Sequence, residues 1–208
     1  MQTFHLGNFT SLCDELGRKD KALNSVIHTY GYPPMWTRPG NFSTLIHIIL
    51  EQQVSLASAK AAFVKLKKRL GSITPKSLLL LSDEELRACY FSRQKSGYAR
   101  HLAEMILAKK LVLKNLPAMD DDGVRTQLKE VKGIGEWTAD IYLLFALQRT
   151  DIFPLGDLAM VNALREIKKV PLHTRDELLL LAEKWRPNRS VATMLLWHHY
   201  IQRRGLQI

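Results

Sequence analysis

The segment VKGIGEWTAD, residues 131–140, sets two glycines around an isoleucine between two stretches of helical periodicity. A glycine inside a helix costs roughly 1 kcal/mol against alanine, so residues 132–135 read as a turn. Val124, Leu128 and Val131 form one apolar helical face before it; Trp137, Ile141, Leu144 and Phe145 form another after it. The unit is a helix–hairpin–helix. Its glycines let the backbone turn tightly and approach a ligand with no Cβ in the way, and the amides opening the second helix carry the positive end of its dipole. That chemistry suits a phosphate. An ordinary helical corner has the same glycines, since glycine is common at helix ends. Lys132 beside the turn and the basic balance of the chain favour the anion-binding reading.

Other chemistries find little support. Cys13 and Cys89 are isolated, which excludes a disulfide framework and a four-cysteine zinc or iron–sulfur site, so both read as reduced, half-buried thiols. His198 and His199 adjoin Trp197 with no second ligand at helical metal spacing, so no zinc site is expected. Lys and Arg number 30 against 20 Asp and Glu, a formal net charge of +10 that suits nucleic acid or an anionic membrane surface. The apolar runs IHIIL, SLLLL and ELLLL fall far short of the roughly 20 residues that span a bilayer, and the polar start has no signal-peptide core. The chain is expected to be soluble and intracellular, with no membrane partner.

The elements that must position the hairpin are helical throughout. At 208 residues with 46% hydrophobic content the chain can bury a full core, as one large domain or two small lobes. Phe42, Leu45, Ile46 and Ile49 repeat at helical spacing, and Ser55 offers a cap for a second helix through Ala57, Ala61 and Val64. Ser82 with Glu85, and Thr174 with Glu177, fit capping boxes. Gly71, Pro75, Pro117, Pro154, Pro171 and Pro187 punctuate the gaps. The pattern predicts an all-α fold of about ten short helices with no repeat. Residues 30–40, YGYPPMWTRPG, read as a linker after a short N-terminal helical segment. A single two-lobed domain follows, with a central lobe over about 42–148 carrying the hairpin and a second lobe from about 1–40 plus 149–208.

KGIGEWTADIYLLFAL followed by DIFPLGDLAMVNAL resembles the helix–hairpin–helix DNA glycosylases that carry a Gly/Pro-rich loop and a downstream aspartate, the HhH-GPD superfamily. Within it the resemblance is to the 3-methyladenine DNA glycosylase II branch. FSTLIHIILEQQVSLASAKAAF, SRQKSGYARHLAEMI and WRPNRSVATMLLWHHY extend the match, in the family's order, over roughly residues 20–204. The chain is similar to a compact form without the N-terminal β-rich domain of longer members. The resemblance implies a two-lobed helical fold with the active-site cleft between the lobes, and a monomer that acts on double-stranded DNA containing alkylated bases. It implies a cytoplasmic, nucleoid-associated protein in a prokaryote and a nuclear one in a eukaryote.

Residue by residue, the family's catalytic aspartate corresponds to Asp157 in FPLGDLAM. Breaking an N-glycosidic bond builds positive charge on the sugar, and a fixed carboxylate stabilises it or aligns water. From the residues alone, Asp157 is equally an N-cap for the helix after Pro154 and Gly156. Trp137 and Trp197 match the family's base-pocket tryptophans, whose indole faces attract a cationic alkylated base by roughly 0.5–2 kcal/mol. Core packing is the alternative for both. Ile141 stands where some relatives have an aromatic residue, and Phe42 completes the expected pocket.

A buried base must first be flipped, which costs a few kcal/mol. Relatives fill the gap from the stretch that is EQQVS here, and Gln53 holds the matching position. A helix-end role for Gln52, Gln53 and Ser55 is the competing assignment. The expected DNA-binding set is Gln52, Gln53, Ser55, Arg93, Lys95, Lys132, Gly133, Ile134, Gly135 and Thr138, with Arg100 and the KLKKRL run as further candidates. That run is equally a solvated face. No cofactor is required on this reading; the family's monovalent cation would sit on the carbonyls of Lys129, Val131 and Ile134. Related strand-cutting enzymes use a lysine where this chain has Trp137, and the absence of clustered cysteines separates it from iron–sulfur members. The expectation is therefore a monofunctional hydrolase. A non-catalytic DNA-binding module is the alternative, and Asp157 is the residue that discriminates them.

Overall fold

Helix boundaries in this chain are written largely by short polar side chains. In a computed structural model, which describes residues 2–169 and 174–206, they separate twelve α-helices and one 3-10 helix. The only strand-like pairing among these residues is an isolated bridge between Thr3 and Arg149. In chain order the α-helices are α1 (Phe9–Lys19), α2 (Lys21–Tyr30), α3 (Phe42–Glu51), α4 (Leu56–Leu70), α5 (Pro75–Leu79) and α6 (Asp83–Ala88). There follow α7 (Arg93–Leu107), α8 (Asp121–Lys129), α9 (Glu136–Phe145), α10 (Leu158–Lys168), α11 (Arg175–Glu183) and α12 (Arg189–Arg204). The fold is all-α, as the patterning predicts. Ser55, Ser82 and Thr174 cap α4, α6 and α11, the last two through complete capping boxes with Glu85 and Glu177. The break expected at Pro171 lies outside the described residues.

The chain divides into two units, one from Met1–Thr37 with Leu143–Gln207 and the other from Arg38–Tyr142. The first division falls within the proline-rich linker. The second falls inside α9, whereas the sequence pattern suggests residues 148–149; helical periodicity cannot show which core each turn of a helix joins.

In the first unit, α12 is central and packs on α1, α2 and α10. Its apolar residues occupy all sides from Val191 to Trp197, the pattern of a helix buried all round. The short N-terminal helical segment expected from the sequence comprises two helices, separated at Asp20, which is extended and caps α2 through Ala22 N–H at 3.0 Å. Asp20 is only 3% exposed. Its carboxylate accepts from Lys168 Nζ at 2.6 Å, Lys184 Nζ at 2.8 Å and Trp185 Nε1 at 2.7 Å. Burial opposes its charge, but these donors outweigh burial and hold the carboxyl well below the usual range.

In the other unit, α3 packs on α4 and α7, and α5 and α6 pack on α7. Leu45, Ile46 and Ile49 of α3 meet a core completed by Leu66, Leu78, Leu86 and Leu102. The α8–α9 hairpin belongs to this unit.

Candidate functional site

The two hairpin glycines do different things. Gly133 has φ +89°, and a Cβ there would fall 2.1 Å from the Tyr98 ring, so both backbone and packing exclude any side chain. Gly135 has neither constraint: a Cβ would meet no atom within 4 Å, and the residue is exposed. The fold requires the first glycine and leaves the second open to a ligand.

The turn is held by specific partners. Ile134 N–H donates to Val131 O at 3.0 Å, and both side chains are buried. Lys132 N–H donates to His101 Nδ1 at 2.9 Å. Gln52 Nε2 reaches across from the end of α3 to Gly133 O and Thr138 Oγ1, each at 2.9 Å. The Lys129–Glu136 pair at 2.7 Å and Arg125 between Asp122 and Asp140, both at 2.8 Å, tie the two helices together. The arrangement is rigid enough to present backbone amides in a fixed direction.

Several of the expected DNA contacts have partners within the protein. Gln52 is a clamp on the hairpin, and Thr138 is buried with its hydroxyl on that clamp. Lys95 is also turned inward: its Nζ donates to Leu50 O at 2.7 Å, and burial pulls its pKa down. Arg100 bonds Leu81 O at 2.7 Å and Asp83 at 2.9 Å. In the KLKKRL run, Lys65 lies over the Tyr90 ring and Arg69 pairs with Glu85. Arg93, Lys132, Gly135 and Gln53 remain exposed.

Gln53 has φ +55°, the left-handed region that a non-glycine residue enters only at a cost. Ser55 caps α4 on Ser58 N–H at 3.2 Å, which fixes the far side of the turn. Val54 and Leu56 flank Gln53, each 46% exposed, and sequence reasoning passed over them. Unpaired apolar residues beside a helix cap were the available signal. Tyr98 and His101, which seat the hairpin, were likewise missed; their i, i+3 spacing on α7 marks one face but not its target.

In the first unit, Asp157 caps α10, its Oδ1 accepting from Met160 N–H at 2.8 Å. Trp197 Nε1 donates to the same oxygen at 3.0 Å. Two donors on one oxygen set the rotation of a carboxylate that is itself half-buried. Capping and chemistry are compatible here. The indole of Trp197 packs on Phe145, centroids 5.4 Å apart, and is 8% exposed. Of the expected pocket residues, Phe42 and Ile141 are also core positions, 5% and 2% exposed, while Trp137 keeps part of its surface open. Trp137 is thus the least buried of the four expected pocket residues.

The thiols are more deeply buried than expected: burial raises Cys89 and pushes Cys13 up to about 12, leaving both unreactive. His198 bonds Tyr30 O at 3.1 Å, and His199 lies 3.3 Å from Glu166. Among the described residues no three His, Cys, Asp or Glu side chains are arranged to hold a metal ion.

A capped carboxylate and an exposed glycine hairpin, both on an all-helical frame, are the features to compare with known proteins. Residues 46–187 match the family model described as HhH-GPD superfamily base excision DNA repair protein, and the chain belongs to that superfamily. Several of the proteins it resembles are named 3-methyladenine DNA glycosylases. The chain is 26% identical over 185 residues to a putative DNA-3-methyladenine glycosylase of Bacillus subtilis, covering 85% of this chain and 64% of that protein. The chain thus spans just under two thirds of that relative's length. A Bacillus halodurans DNA-3-methyladenine glycosidase structure superposes with a TM-score of 0.78 at 26% identity, covering 99% of this chain and 95% of the other. A Schizosaccharomyces pombe 3-methyladenine DNA glycosylase, solved with abasic DNA, gives 0.76 at 25% identity over 90% and 95%.

Proposed function

We propose that this protein excises alkylated, cationic bases of the 3-methyladenine type from duplex DNA by hydrolysis, acting as a monomer and leaving an unbroken abasic strand. The observation that carries this reading is the Asp157 carboxylate, oriented on one oxygen by the Met160 amide and the Trp197 indole. When the N-glycosidic bond breaks, its electron pair leaves with the base and positive charge develops at C1′. A fixed carboxylate stabilises that charge. Water then adds its oxygen to C1′ and releases a proton. A base that starts cationic departs neutral and needs no proton delivered to it, so alkylated bases are the easier leaving groups. A non-catalytic binding module would need Asp157 only as a helix cap, a role asparagine fills equally well.

The remaining roles follow from exposure and chemistry. The partial exposure of Trp137 supports cation–π selection. The exposed, left-handed Gln53 supports the gap-filling role, since strain at a turn tip is kept where a side chain must project. Exposed Gly135 and Lys132 support backbone contact. The hairpin carbonyls of Lys129, Val131 and Ile134 suit a monovalent cation, which would add positive charge beside a bound phosphate. Val131 O already accepts one N–H and keeps a second lone pair for it. The S. pombe relative was solved with abasic DNA, the product this chemistry leaves.

Hydrolysis without strand cutting follows from Trp137, since an indole cannot form the Schiff base that a lysine would form there. Turnover on alkylated duplex with borohydride present tests this. Free base, an intact abasic strand and no trapped protein–DNA adduct are expected; efficient trapping would overturn the hydrolytic mechanism and leave base excision standing.

A further inference from the structure

One glycine in the unit that holds the hairpin has no explanation in the fold. Gly97 lies inside α7, where a glycine weakens the helix. A Cβ there would meet no atom within 4 Å, and its backbone does not need the left-handed region. The residue is exposed, while its neighbours Ser96 and Ala99 turn into the core. Neither packing nor conformation asks for glycine at this place.

Gly97 forms part of the floor of a groove of about 480 Å³ lined by Arg93, Gln94, Gly97, Tyr98 and Lys132. Arg93 stands one helical turn before Gly97 on the same face, and Lys132 enters from the hairpin. No carboxylate lines the groove, and neither cation is ion-paired among the described residues. Tyr98 joins the two sides: its ring lies under Gly133, and its hydroxyl accepts from Gln94 Nε2 at 2.6 Å. The groove therefore continues from the hairpin turn onto the bare surface of α7, with positive charge on both sides.

We propose that this groove is a second seat for the DNA backbone, in which a phosphodiester lies against the bare helix at Gly97, between Arg93 and Lys132. The missing Cβ serves the same purpose as at Gly135, close approach of a sugar–phosphate chain. The proposal rests on the hairpin's reading as a DNA-backbone site, and it adds α7 as a second wall. It accounts for a glycine that costs helix stability and returns nothing to the fold.

Gly97→Gln separates this from a merely tolerated glycine. Glutamine is a good helix former, and the site has room for it, so the Tm of the full chain should rise by about 1–3 °C. Affinity for an undamaged duplex oligonucleotide, read by fluorescence anisotropy, should fall about fivefold or more. Arg93→Gln should reduce the slope of log affinity against log salt by about 1. Gly135→Val serves as the reference. If it weakens binding while Gly97→Gln and Arg93→Gln bind as wild type does, the second seat is refuted and the hairpin reading survives. Salt-insensitive binding by the wild type would overturn both.

Discussion

Asp20 and Asp157 are built alike and placed apart. Each caps a helix, α2 or α10, and each accepts an indole N–H, from Trp185 at 2.7 Å or Trp197 at 3.0 Å. Their surroundings differ. Asp20 is sealed from solvent and its charge is answered inside the protein by Lys168 and Lys184. Asp157 is half-buried, with two donors on one oxygen. The same local device is a buried anchor at Asp20 and, in the proposed mechanism, the reagent at Asp157. Cap geometry alone cannot tell the two apart; burial and the charges around the carboxylate can.

Changing Asp157 to Asn should separate chemistry from structure most sharply. Asparagine caps helices as well as aspartate does, so Tm should stay within about 1 °C of wild type. Base release should fall by about 10²–10³-fold, the scale on which removing one transition-state electrostatic partner acts, while duplex affinity stays nearly intact. Excision at the wild-type rate would remove Asp157 from the mechanism.

For Asp20→Asn the pattern should invert. Removing the charge leaves Lys168 and Lys184 without their shared partner, which should cost about 3 kcal/mol and lower Tm by roughly 6–12 °C, with excision by the folded fraction unchanged. The folded carboxyl titrates below its unfolded value, so its contribution is present above about pH 4 and is lost as pH falls toward the folded value. The Tm gap between wild type and Asp20→Asn should therefore be full at pH 6 and narrow below about pH 4. A gap that is constant with pH would show that the charge is not what stabilises.

The smallest effect in the comparison belongs to the indole donors. Trp197→Phe keeps the ring against Phe145 and deletes one hydrogen bond to Asp157, worth about 1–2 kcal/mol, so base release should slow about tenfold. Duplex affinity should be unchanged. A variant that loses affinity but keeps its rate of chemistry would make Trp197 a binding residue, as the family resemblance suggests, and would end its positioning role.

These pairs also show what the sequence could reveal. The hairpin, the capping boxes and the Asp157 cap are legible because each depends on residues within a turn or two of one another. Trp197 is expected at the base, and its indole also contacts Asp157 from 40 positions away; Trp185 reaches Asp20 across 165. Nothing local marks such pairings. Lys95, Gln52 and Thr138 read as DNA contacts because their polarity is visible and their direction is not. Their partners, Leu50 O and the hairpin, come from packing of α3, α7 and α9. The interruption at Asp20 was missed for the same reason, since an aspartate between two helical stretches becomes a break only when something neutralises it. The exposure of Gly97 and Gly135, by contrast, could not be separated from the buried need for Gly133 without neighbouring atoms.

The central claim is that this helical frame carries out base excision and does more than bind DNA. The direct measurement is single-turnover incubation of the wild-type protein with methylated duplex DNA, following bound duplex and free base in the same samples. The account predicts release of 3-methyladenine-type bases at a rate that saturates with protein concentration, leaving an unbroken abasic strand. Saturated, salt-sensitive binding with no free base above the uncatalysed level would contradict it.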